Sequence, residues 1–208
     1  MSLDSVLQRA DVWRGGEQSL HRQVHNLPTG HAALDAQLSG GGWPVGALTE
    51  CLLAQHGIGE LRLLGPALAR LSQAGRWLVW VNPPYLPYAP ALNHAGVSLR
   101  HNILLQIETP DDQLWAIEQA LRSGSCGAVL AWPQRIAPRQ LRRLQLAAEM
   151  GSALGIVFRS LEVQHQHSPA ALRLRLAAAA SGLRLDILKC RGRFNSQPIV
   201  LENDHAVA

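Results

Sequence analysis

Apolar runs of strand length alternate with amphipathic helical stretches along most of this 208-residue chain, and that alternation constrains the fold most. Strand-like runs are read at 47–53, 76–81, 102–107, 127–132 and 152–158, with helical periodicity at 60–73, 87–95, 111–123 and 138–150. A strand that is apolar on both faces has to be covered on both faces. The expected class is therefore α/β, a mostly parallel sheet with helices on both sides. Near the end, 172–176 (LRLRL) and 183–189 (LRLDILK) alternate with period two around AAAASG, which predicts an antiparallel pair at the sheet edge. Gly65-Pro66 predicts a kink or break in the first helix. Asp111 or Asp112 is the expected cap of the third, and Gly96, Gly124 and Gly151 stand where helices should end.

Residues 5–13 place Val6, Leu7, Ala10 and Trp13 at helical spacing, a short amphipathic helix. Residues 1–22 are read as an N-terminal extension, 23–201 as one core and 202–208 as a tail. Hydrophobic residues make up 47% of the chain and charged residues 16%, enough for a core and unlike general disorder. No apolar run reaches the roughly 20 residues of a membrane span, and the start lacks a signal-peptide core. A cytoplasmic location is expected. The formal charge of +4 permits nucleic-acid contact without demonstrating it. Cys51, Cys126 and Cys190 show no ligand or disulfide spacing and read as small hydrophobes. His165 and His167 read as a polar loop, and no metal site or cofactor is expected.

The most informative segment runs from Leu27 to Leu53, LPTGHAALDAQLSGGGWPVGALTECLL. Thr29, Gly30, Leu34, Asp35, Gly41, Gly42, Pro44 and Gly46 resemble, in order, the entry to a RecA-type ATPase core. In such a core the next strand leads into GxxxxGK[ST], whose backbone amides cradle phosphates, whose Lys reaches them and whose hydroxyl holds Mg²⁺. Here the strand is followed by AQHGIGELR. Gly57 and Gly59 can still form a turn at a helix start, but Glu60 stands at or beside the Lys position. A carboxylate there repels a triphosphate and favours the positive end of its own helix. Arg62 is about half a turn away and a poor substitute. The strand at 76–81 runs into Asn82-Pro83-Pro84 in place of a catalytic acid. The strand at 127–132 ends on Trp132-Pro133 in place of a Mg²⁺-ordering Asp. Phosphoryl transfer needs all three, so the chain is expected to be non-catalytic.

GGGWPVGALTE, GIGELRLL, GRWLVWVNPPYLPYAPAL, LWAIEQALRSGSCGAVLAW and LRRLQLAAEMGSALGIVFR together resemble the ImuA family of SOS-induced proteins, from about residue 27 to 193. From GELRLL onward the core also resembles the SulA family of division inhibitors. The LPTG…LDAQLSGGGWP entry and the LRLRL…LRLDILKCRGR tail favour ImuA. That resemblance implies an accessory role in translesion synthesis, beside the Y-family relative ImuB, an error-prone polymerase subunit and RecA. The alternative implies inhibition of the division GTPase FtsZ. A divergent ATPase is the third reading.

Three surfaces are candidates for contact. Lys189 and Arg191, i and i+2 on a strand, resemble the basic pair that RecA offers a neighbour's ATP; with Arg193 they read either as a docking element or as a solvated strand end. Arg139, Arg142 and Arg143 read as a solvated helix face or a DNA or partner site. Pro84, Tyr85 and Tyr88, in the loop after Trp80, are costly to expose and read as a protein interface or as core. Trp13 belongs to a helix that could dock in cis or on a partner.

Overall fold

The computed structural model describes residues 26–192 and 197–202. The extension 1–22 with Trp13, Arg193 and the residues beyond Glu202 lie outside the described residues. The chain is mixed α/β. It begins with a ribbon of β1 (Asn26–Leu27) and β2 (Trp43–Pro44), which pair antiparallel around α1 (Ala32–Asp35). The Asp35 carboxylate accepts the Thr29 amide at 2.9 Å, and Leu34, Leu38 and Trp43 are buried in the main core.

The main sheet is built from β3 (Ala47–Leu53), β4 (Trp77–Val81), β5 (Asn102–Leu105), β6 (Cys126–Ala131), β7 (Leu154–Ser160), β8 (Leu172–Ala179), β9 (Gly182–Cys190) and β10 (Ile199–Glu202). Their order is β10-β9-β8-β3-β7-β6-β4-β5. The six strands from β8 to β5 in that order are parallel, with β3 between β8 and β7; β9 and β10 pair antiparallel beyond β8. All seven residues of β3 and all six of β6 are buried, as strands covered on both faces require. On one face lie α2 (Glu60–Gln73) and the short α3 (Ala89–His94); on the other lie α4 (Pro110–Arg122) and α5 (Pro138–Gly151).

Several local expectations need correction. The α2 helix is unbroken through Pro66: the proline forgoes one ladder bond, and its ring packs where a Cβ on Gly30 would come within 2.4 Å. The cap of α4 is Thr109, whose hydroxyl accepts the Asp112 amide at 3.2 Å while Pro110 takes the first helical position. Gly96 and Gly124 do follow helices in left-handed geometry. Gly151 is likewise where a helix ends, the last residue of α5, and a Cβ there would meet the Leu121 carbonyl oxygen at 1.9 Å. The AAAASG linker is mostly strand, because β8 continues to Ala179. The antiparallel pair is not itself the edge; β10 lies outside it and runs to Glu202, one residue past the expected core boundary.

Candidate functional site

The loops at the carboxyl ends of the parallel strands carry the chemistry-bearing residues, as open parallel sheets dictate. After β3, Gly57 and Gly59 adopt φ of 83° and 104°, a left-handed region open to glycine. The turn aims amides inward at the start of α2. Such amides, unpaired at a helix start, form an anion cradle. The anion is internal: the Glu60 carboxylate accepts Gly57 N–H at 2.8 Å and Ile58 N–H at 2.9 Å and is 5% exposed. His56 Nδ1 stands 4.0 Å from the same carboxylate. Asn82, after β4, spends its side chain on the neighbouring loop, donating to the Ile107 carbonyl at 2.6 Å and accepting its amide at 2.8 Å. Trp132, after β6, lies within an aromatic stack, 4.5 Å from Phe158 and 6.3 Å from Trp80, centroid to centroid.

Beside this loop is a cluster that sequence reading missed. Glu50, in mid-β3 and fully buried, accepts Arg159 Nη1 at 2.6 Å and Arg173 Nε at 2.8 Å. Arg173 also donates to the carbonyls of Val163, Gln164 and Gln166, and Arg159 to that of Ile136. The triad thereby stitches the loops after β6 and β7 to the sheet. One signal was available: a carboxylate inside an apolar strand needs a buried partner. Cys51 is adjacent; burial first, and then the Glu50 and Glu60 charges, push its thiol well above the usual range.

The expected basic pair is not a free pair. Lys189 Nζ donates to the Ser168 carbonyl at 2.8 Å. Burial, then the Arg173 charge, hold its ammonium below the ordinary lysine range. Arg191 lies just past the end of β9, exposed, with its amide on the Ala171 carbonyl. One strand-pair away, burial would raise the Asp186 carboxyl, but hydrogen bonds from Arg184 and Arg175 outweigh it and hold it low. Of the α5 arginines, Arg143 reaches across to Glu118 of α4. By contrast, Pro84 is exposed and Tyr85, Leu86 and Tyr88 are 70%, 76% and 72% exposed. Trp80, in the strand that launches them, is 2% exposed and anchored by its indole N–H on Asn102 Oδ1 at 2.8 Å. A rigid strand thus presents an apolar loop to solvent.

Fold and site together define an α/β domain whose phosphate-type loop is filled by its own carboxylate and whose apolar groups cluster on an outer loop. The family model described as "Cell division inhibitor SulA" matches residues 46–155, from the start of β3 into β7. The SulA of Yersinia pseudotuberculosis serotype O:1b (strain IP 31758) is 30% identical over 143 residues, 68% of this chain and 82% of the relative. That of Yersinia pestis (strain Pestoides F) is 29% identical over the same span. The crystal structure of SulA from Pseudomonas aeruginosa is 30% identical, covering 54% of this chain and 97% of that one, with a TM-score of 0.45. The chain belongs to the SulA family.

Proposed function

We propose that this chain inhibits cell division by binding, without catalysis, and that its target is the division GTPase FtsZ. Family membership supports the class of activity. The observation that carries the mode of action is the Tyr85–Leu86–Tyr88 loop, exposed on a rigid strand inside the family-matched region. Large apolar side chains held out in water are costly for a monomer and suit the centre of a protein interface. The loop after β3 supports the non-catalytic part, since its amides are taken by Glu60. We infer further that the core descends from a RecA-like nucleotide-binding domain, on the parallel crossovers around β3 and the loop before α2. Among the described residues no helix is long and apolar enough to cross a membrane, and we place the activity in the cytoplasm with its target.

Expression in a rod-shaped bacterium tests the proposal. The parent chain should produce filaments and co-purify with FtsZ. Tyr85→Ser/Leu86→Ser/Tyr88→Ser should abolish both at an unchanged melting temperature. Filamentation that survives the triple variant sinks the loop assignment, and no filamentation by the parent sinks the function.

A second reading rests on a different observation. The β1–β2 ribbon and strands β8 to β10 lie outside residues 46–155, yet Trp43, Leu172, Leu174 and Leu185 are fully or almost fully buried in the same core. The ribbon and strands β8 and β9 carry the entry and tail whose resemblance favours ImuA over SulA. In that reading the chain is an SOS accessory of translesion synthesis that contacts ImuB, an error-prone polymerase subunit or RecA. Capture of purified ImuB without any effect on division would favour it.

A further inference from the structure

An apolar groove of about 1070 Å³ crosses the outer surface of α2. Its lining includes Leu61 and Pro66 of α2, Ala91 of α3, Ala33 of α1 and Val200 of β10. Val200 is 46% exposed, and no residue of α3 is buried. The lining at residues 31–33 and 200–202 comes from outside the family-matched span, so the groove is a feature that this chain's additional segments create.

We propose that the groove is the docking place, in cis, of this chain's own N-terminal segment, residues 5–13. Three observations support that occupant. Val6, Leu7, Ala10 and Trp13 carry the i, i+1, i+4, i+7 spacing that presents one apolar face to a groove. A nine-residue helix would be about 14 Å long. The chain enters the described fold at Asn26, and Gly30 rests against Pro66 of the groove lining. The intervening residues 14–25 can span up to about 40 Å, ample reach from that entry point. The lining also carries Arg62 and Glu202, opposite in sign to Asp11 and Arg9 of the segment.

The test uses the full chain. Cys190→Ser with Gln8→Cys leaves residue 8 as the reactive thiol, since Cys51 and Cys126 are buried, and residue 8 lies off the proposed apolar face. A nitroxide at that position should erase the amide signals of Ala91, Ala95 and Val200 and spare Leu146 on the opposite face of the sheet. Adding Leu7→Asp/Trp13→Asp should restore those signals without changing the rest of the spectrum. Undiminished groove signals would overturn the proposal. So would signal loss that arises only between spin-labelled and separate isotope-labelled chains, which would make a second copy the occupant. Division is not read out, so failure here is distinguishable from failure of the FtsZ assignment.

Discussion

Removing the Glu50 carboxylate leaves two guanidinium groups in a space of almost no solvent, 8% and 7% exposed at Arg159 and Arg173. Breaking such a buried set by one member costs about 3–5 kcal/mol. Glu50→Ala is therefore expected to lower the urea midpoint sharply, whereas replacing all three members with leucine and methionine should cost less. A larger loss in the triple variant would contradict this account. Glu60 is a lighter case: Glu60→Ala strips an internal cap of its two amide bonds, worth about 1–2 kcal/mol, and denaturant titration should read a loss of that size. The two carboxylates differed in legibility for a physical reason. Glu60 sits two to three residues from the amides it satisfies, and Gly-Ile-Gly-Glu before a helix marks that arrangement locally. Glu50 finds its partners 109 and 123 residues away, beyond the reach of any local pattern. Lys189 is exposed near the end of β9, and only its bond to Ser168 was illegible, because Ser168 lies in a loop without any periodic signal.

At the level of elements, α4 and α5 approach so closely that Gly151 faces the Leu121 carbonyl with no room for a methyl group. Alanine is favoured over glycine inside a helix by about 1 kcal/mol, yet overpacking against backbone costs about 1–3 kcal/mol or more. Gly151→Ala should therefore destabilise, seen as a lower melting temperature; a gain would mean that the helices can separate freely. Long periodic elements were readable because their pattern is set within themselves: 47–53 and 60–73 coincide with β3 and α2. The α2 helix survives Pro66 because packing under Gly30 outweighs a local breaker, which no window of sequence contains. The four-residue β10 was invisible for the opposite reason. It has too few residues to show a period and exists by pairing with β9.

For the molecule as a whole, the three thiols make a reporter of global opening. Cys51 and Cys126 are buried and Cys190 is half-buried with the Ser39 amide on its sulfur at 3.5 Å. A thiol reagent should modify one cysteine quickly in the native chain and the other two only at the rate of unfolding. Fast reaction of all three would mean that the sheet breathes locally around β3 or β6. The α/β class was legible at this scale because a doubly covered sheet imposes its apolar runs everywhere. Whether the prolines and tyrosines after Trp80 are core or surface was left open by the sequence, because exposure is a property of the folded whole. The closed loop before α2 bears on how such a protein is governed. A cradle filled by its own chain has no empty state for a metabolite to fill, so at that loop a starved cell and a fed one see the same molecule. On the proposed reading, its output would scale with how many copies are made and how long they last, rather than with what that loop carries.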